Sequence, residues 1–245
     1  MVAKRLDTGS TWPMSNNPGN RWYTAKPGDT FFSNEDYLVR EVVRASTAAP
    51  SYFAPQVIQI SDQGEKPHGL FVDGGASPHN NPALLALQLV CVGGFGAGWS
   101  LDPDKLLLTS VGTGTAQPGA SRSWWAGGHA IKSLLSVIDD CAELVETTLQ
   151  WISDSPTARH IDAAMRDLRG DLLAERPLLH YLRYNVHLEE TWLREILDEI
   201  RTKKEIKRLQ EMDRPDNVDV LSTLGMKAAR LQVRDEHFPQ NFDLG

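Results

Sequence analysis

Gly69-Leu70-Phe71-Val72-Asp73-Gly74-Gly75-Ala76-Ser77-Pro78-His79-Asn80-Asn81-Pro82 is the stretch from which the fold is read. Its apolar run ends on a single carboxylate and two glycines. Leu70, Phe71 and Val72 suit a buried strand, and Gly74 and Gly75 are free to take positive φ, so a sharp turn with its backbone bare on one side is expected. Asp73 is thereby left at a strand end. Asn81 is a good N-cap and Pro82 suits the first helical position, where its missing N–H costs nothing, so residues 82 to 91 are expected to form a buried helix. A strand that delivers a carboxylate to a helix start is a layout suited to catalysis.

Just upstream, Pro55-Gln56-Val57-Ile58-Gln59-Ile60 reads as a strand and 61 to 68 as a polar turn, which makes a hairpin ending at Asp73. Before it, Asn34 is placed to cap a helix in which Leu38, Val39, Val42, Val43 and Ala45 recur at helical spacing until Ala48-Ala49-Pro50 forces the chain out. Residues 1 to 35 are rich in Pro, Gly, Asn, Ser and Thr and read as irregular coil. Within them Asp7-Thr8-Gly9-Ser10 imitates an aspartic-protease signature. That chemistry needs two carboxylates sharing a proton, no second copy is present, and the stretch reads as a turn.

Downstream, Gly93-Gly94-Phe95-Gly96-Ala97-Gly98 follows a helix, whereas a dinucleotide loop follows a strand and opens a helix. Residues 105 to 114 read as a buried strand running into the glycine turn Gly112-Thr113-Gly114, followed by a polar loop from 115 to 122. From Ile131 a long amphipathic helix carries Leu134, Leu135, Ile138, Cys141, Val145, Leu149 and Ile152 on one side and Asp139, Asp140, Glu143 and Glu146 on the other. It either covers a sheet face or lines a groove for an acyl chain. Ser155-Pro156 is expected to open a shorter helix reaching Gly170, and 178 to 188 alternate as a half-buried strand near a sheet edge. His180 and His187 on that strand have no nucleophile nearby in sequence and read as ordinary polar residues. Thr191 opens a helix that ends in Arg201, Lys203, Lys204, Lys207 and Arg208. Cations there suit the helix dipole, and an anionic membrane surface is the other reading. A last helix runs from 217 to 233.

A chain of 245 residues with 41% hydrophobic residues and net charge −7 fits one α/β domain, with its motif-bearing part at 36 to 115 and a mainly helical part at 116 to 245. No run of about 18 apolar residues occurs and the first residues lack the apolar region of a secretory signal, so a soluble, cytoplasmic protein without a transmembrane segment is expected. Cys91 and Cys141 read as small buried residues, with neither a disulfide framework nor a metal site to be drawn from them. The acidic balance argues against a nucleic-acid partner. No Gly-x-Ser-x-Gly elbow, phosphate-binding Walker loop or His-Glu-x-x-His occurs.

Three segments in order, Val43-Arg44-Ala45-Ser46-Thr47-Ala48-Ala49-Pro50-Ser51-Tyr52-Phe53, then Phe71-Val72-Asp73-Gly74-Gly75-Ala76-Ser77-Pro78-His79-Asn80-Asn81-Pro82-Ala83, then Ser110-Val111-Gly112-Thr113-Gly114-Thr115, resemble the patatin-like phospholipases. The resemblance is firmest over residues 35 to 115. It implies a three-layer α/β/α domain with a mainly parallel central sheet, hydrolysing acyl esters of membrane lipids through a Ser–Asp dyad without metal, cofactor or histidine. Asp73 matches the dyad aspartate, and Gly74 and Gly75 the turn that supports it. A lipid or phospholipid substrate follows from the same likeness, and the basic cluster at 201 to 208 is what suggests peripheral membrane contact.

The family's glycine-rich oxyanion loop and its Gly-x-Ser-x-Gly nucleophile elbow lie upstream of these motifs and have no counterpart here. A base with no serine to activate and no oxyanion donors should not turn over ester. Two expectations result. In one the chain is an N-terminally incomplete acyl hydrolase; in the other it is a catalytically dead pseudo-hydrolase that binds lipid or protein.

Overall fold

The computed structural model describes residues 1–63, 67–115, 126–198, 201–211 and 213–243, with only the backbone course given for 126–135. Where length alone suggests one domain, the chain groups into two compact units. The first is Met1–Leu101 with Ser133–Leu149, and the second is Asp102–Lys132 with Gln150–Gly245.

The first unit is built on an antiparallel four-stranded sheet of order β2-β1-β4-β3, with β1 Val2–Arg5, β2 Thr11–Pro13, β3 Gln56–Gln59 and β4 His68–Asp73. The expected hairpin is present, with Val57 opposite Leu70 and Gln56 opposite Phe71. Residues 1 to 35 depart from the coil reading, because β1 pairs with the other edge of β4, Ala3 opposite Asp73 and Arg5 opposite Phe71. β1 and β2 are too short and polar to announce themselves by alternation. They are held from outside: Ala3 is fully buried, and Trp12 meets Phe71 edge-on at 5.7 Å. Asp7-Thr8-Gly9-Ser10 is the turn that joins them, with Gly9 at φ 70° and the Arg5 N–H donating to the Ser10 carbonyl at 2.9 Å. Phe71, Ile58, Ile60, Ala45, Met14 and Ala3 form the core of this unit. Burying a side chain such as Phe71 contributes about 1.5–3 kcal/mol.

The helix expected from Asn34 forms in two pieces. Asn34–Asp36 is a single 3₁₀ turn, Tyr37 and Leu38 are extended, and α1 spans Val39–Ser46. Its apolar side is not all buried: Ala45 and Val42 face the core, while Val39 is 75% exposed. α2, Ala83–Cys91, follows the Asp73 turn as expected; Ala83, Leu85 and Leu87 are buried, and Asn81 Oδ1 accepts the Ala83 N–H at 3.3 Å. Both cysteines are free and half-buried.

In the second unit β5 (Leu107–Val111) and β6 (His180–Tyr184) pair in parallel, with Leu107 opposite His180 and Val111 opposite Tyr184. Among the named strands this is the pair that runs parallel, with isolated parallel bridges at Thr115–His187 and Asp154–His180 beside it. β6 is more than half-buried. Asp154 bridges its far side, and Leu179, Tyr181 and Leu182 are wholly buried, so both faces are covered as parallel strands require. The helix expected from Ser155 to Gly170 is absent. Asp162 Oδ1 accepts the N–H groups of Ala164 and Met165, each at 2.7 Å, and Arg166 and Leu168 take positive φ, which stops helical propagation.

α3 (Ala126–Ile152) carries the expected long period, with Val145, Leu149 and Ile152 buried. The helix expected from Thr191 is split into α4 (Glu190–Leu197) and α5 (Lys203–Leu209) by Asp198, which takes φ 52°. A Thr202–Glu205 capping box then starts α5 and carries the basic cluster with it. α6, Val218–Gln232, packs Leu224 and Ala228 into a core with Leu188, Leu193, Leu197, Ile206 and Leu209. The polar loop expected at 116 to 122, the side chains of Ile131, Leu134 and Leu135, and Ile200 lie outside the described residues.

Candidate active site

Asp73 is the last residue of β4, and its placement is fixed from three sides. β1 lies beside it through Ala3, its own N–H donates to the Ala48 carbonyl at 3.1 Å, and the chain turns immediately afterwards. Ala48 is itself wholly buried, which is why the small-residue run after α1 is needed: the backbone of 48 sits against the end of β4.

The turn is not made by positive φ, as the glycines suggested. Gly74–Ala76 forms a 3₁₀ turn with ordinary negative torsions, capped by Asp73, whose Oδ1 accepts the Gly75 N–H at 2.7 Å. The glycines are required by space. A Cβ on Gly74 would lie 2.6 Å from the Val2 carbonyl oxygen, and one on Gly75 would lie 3.1 Å from Asn80 Oδ1 and 3.2 Å from Asp73 Oδ1. A second 3₁₀ turn, Pro78–Asn80, then leads to α2; Ser77 donates to the Gly74 carbonyl at 2.6 Å and accepts the His79 N–H at 3.2 Å.

This geometry leaves the Asp73 carboxylate with one oxygen fixed and the other without a hydrogen bond among the described residues. The serines around it are engaged elsewhere. Ser77 is committed to the turn, and Ser46, at the end of α1, donates to the Val2 carbonyl at 2.7 Å. No Ser–Asp hydrogen bond reaches Asp73 among the described residues.

Two residues that sequence reasoning passed over belong to this site. Asn80 brings its side-chain oxygen beside Gly75, 3.1 Å from where a Cβ there would lie, and Asp73 Oδ1 lies 3.2 Å from the same point. His79 has a buried Nδ1 without a hydrogen-bond partner, and burial, with the Lys4 charge second, pushes its pKa below the ordinary histidine value. A neutral imidazole is therefore held at the turn. The signal was available in Ser77-Pro78-His79-Asn80-Asn81, a polar run too short to be the helix itself, but its composition reads equally as capping.

His180 and His187 lie in the second unit. His180 is 4% exposed, with Nε2 donating to the His237 carbonyl at 2.9 Å and Nδ1 lying 3.3 Å from Asp154 Oδ2. His187 Nδ1 meets the Thr115 hydroxyl at 3.1 Å. Each is accounted for by local structure. Among the described residues no group of three or more His, Cys, Asp or Glu side chains is placed to hold a metal ion, and no helix is long and apolar enough to cross a membrane.

Compared with known proteins, the chain matches no family model and no curated protein.

Proposed function

We propose that this chain is part of a patatin-like lipid acyl hydrolase in which Asp73 is the general base of a Ser–Asp dyad. Its serine and oxyanion donors would come from a segment not among these 245 residues. The observation that carries the reading is the asymmetry of the Asp73 carboxylate: Oδ1 is held by the Gly75 N–H at 2.7 Å, and the other oxygen is open at a strand end. An aspartate so held can take a hydroxyl proton while the serine oxygen bonds to an ester carbonyl carbon, and can return that proton to the leaving alcohol. In this reading the complete domain is a three-layer α/β/α structure whose central sheet includes the parallel β5–β6 pair. Its substrate is a membrane lipid reached from the cytoplasm.

A binding module without catalysis is the second reading. It is favoured by the apolar side chains that α1 and the following turn leave at the surface, Val39 at 75%, Phe53 at 56% and Tyr52 at 51% exposure. Hydrolysis of a short-chain p-nitrophenyl ester separates the two. The chain alone should stay at the buffer rate, and the chain extended upstream in frame by an oxyanion loop and Gly-x-Ser-x-Gly should turn over. In the extended protein Asp73→Asn should lower the rate about 10²- to 10⁴-fold, the usual worth of general-base assistance. Full activity in Asp73→Asn would overturn the dyad; an inactive extended protein that still binds phospholipid vesicles would establish the binding module.

A further inference from the structure

Asp73 is tied to an exposed aromatic turn by a short run of backbone bonds. Its N–H donates to the Ala48 carbonyl at 3.1 Å, and the next carbonyl along, that of Ala49, accepts the N–H groups of both Tyr52 and Phe53, at 3.2 and 3.0 Å. On the other side of Ala48, the Thr47 N–H and hydroxyl both donate to the Val43 carbonyl, at 3.0 and 2.8 Å. Val43, Tyr52 and Phe53 thus lie close in the chain to the residue that holds the end of β4. All three are exposed, and so is Val39, one helical turn before Val43 on the same face of α1.

This patch is clamped in place. The Arg44 guanidinium lies over the Phe53 ring, 4.8 Å from its centroid, and Nη2 donates to the Ala54 carbonyl at 3.1 Å, which fastens the turn to α1. Ser51 takes φ 73°, in the left-handed region that a residue with a Cβ enters at a cost. Burial does not repay that cost, since the two rings that follow stay at the surface. Apolar side chains held out in this way beside a base form a surface for a ligand. Charge does not choose the ligand, because α1 carries Arg40 and Arg44 next to Glu41. The reaction does. An ester whose serine attacker is hydrogen-bonded to the open oxygen of Asp73 stands at this strand end, and the part of it that seeks apolar surface is its acyl chain.

We propose that Val39, Val43, Tyr52 and Phe53 form an acyl-chain subsite beside Asp73, which makes long-chain esters the preferred substrates. The choice of ligand rests on Asp73 being the base of the dyad. In the 245-residue chain, cis-parinaric acid should gain fluorescence saturably and decanol should displace it. Phe53→Ser should weaken that binding at least about tenfold, the loss expected when the contact of an apolar ring is given up. Tyr52→Ser gives the same reading should Phe53→Ser change the circular dichroism melt. In the extended protein, kcat/KM should be higher for p-nitrophenyl decanoate than for the butyrate, each methylene withdrawn from water being worth about fourfold, and Phe53→Ser should lower the ratio of the two. A chain that does not bind the probe saturably overturns the subsite, as does a chain-length ratio that both serine variants leave unmoved; the dyad is then still judged by Asp73→Asn. An extended protein that hydrolyses neither ester, while the 245-residue chain binds cis-parinaric acid through Phe53, overturns the dyad and upholds the acyl site.

Discussion

Asp73 closes β4 in one unit and His180 opens β6 in the other, and the two polar nodes are treated in opposite ways. Asp73 has one carboxylate oxygen fixed by the Gly75 N–H and the other open. His180 has both ring nitrogens engaged, one on the His237 carbonyl and one facing Asp154, and almost no contact with solvent. A group that is oriented yet incompletely bonded can act on something that arrives, whereas one whose bonding is complete holds the chain together. Titratable character alone would have favoured the histidine; it is the unfilled hydrogen-bonding capacity that points to the aspartate.

The largest effects should separate these roles. In the extended, active protein, Asp73→Asn lowers ester hydrolysis by the 10²- to 10⁴-fold given above while the thermal melt stays within about 1 kcal/mol of the parent, because the Gly75 N–H keeps an acceptor. His180→Ala should do the reverse. It removes a buried ring and leaves the His237 carbonyl without its donor, so urea unfolding should show a loss of about 2–4 kcal/mol, while turnover of the folded fraction stays within a few-fold. Abolished turnover in a well-folded His180→Ala protein would move the chemistry to the second unit.

Gly74→Ala comes next. Its Cβ would sit 2.6 Å from the Val2 carbonyl, a backbone atom that cannot swing aside, so β1 must shift away from β4 at a cost of about 1–3 kcal/mol in the same unfolding experiment. Gly75→Ala meets only side-chain oxygens, at 3.1 and 3.2 Å, and should cost less in stability than it does in the orientation of Asp73. A Gly74→Ala protein as stable as its parent would show that β1 is not pinned against the turn.

How far this architecture can be read in advance varies with the source of the information. The β3–β4 hairpin, the Asp73 turn and α2 are legible because an apolar run, two glycines and an Asn-Pro pair act within a few residues of each other. α3 and α6 are legible through sustained period. β1 and β2 are not, since their stabilisation lies in Ala3 beneath the sheet and Trp12 against Phe71, contacts that no local pattern encodes. Residues 155 to 170 have helical spacing, yet the Asp162 side chain captures backbone N–H groups, and a weak propensity loses to that local bond. At the site itself Asp73 and its glycines stand out, but the reason for the glycines was misread. They provide room for Val2 and Asn80, not positive φ, and only the three-dimensional neighbours disclose it.

A smaller effect concerns His237, which joins His180 to Tyr184. Burial pushes the Tyr184 phenol up and, for His237, outweighs the neighbouring charges to hold the imidazole below its ordinary value. Tyr184 Oη and His237 Nδ1 share a hydrogen bond of 2.9 Å. An unfolded His237 titrates near 6.5 and the folded one lower, so between these values the unfolded chain binds more protons. Stability from this residue is complete above about pH 6.5 and is lost as pH falls through the folded value. Tyr184→Phe should cost about 1 kcal/mol. Melting temperature measured from pH 7.5 down to 5 should decline less in His237→Gln than in the parent, and an identical decline would remove His237 from the account.

The smallest effect expected is at the β1–β2 turn, where the Arg5 guanidinium grips Asp7 in a two-point contact of 2.8 and 2.6 Å. That hydrogen bond is the main reason the Asp7 carboxyl is lowered to about 2 from its ordinary 3.8. Because the folded value is depressed, the pair's contribution is present above about pH 3.8 and disappears as pH falls through about 2. The Asp7 side chain is 33% exposed, so solvent screens most of this attraction, and Asp7→Asn at neutral pH should cost about 0.5 kcal/mol or less, shrinking further in high salt. Asp7 Oδ1 also accepts the Leu70 N–H at 3.4 Å, a long bond that ties the hairpin to β4. If Asp7→Asn instead cost more than about 2 kcal/mol, well above the range of exposed ion pairs, that tie would be holding β1 in register beside Asp73, and the turn would belong to the support of the site.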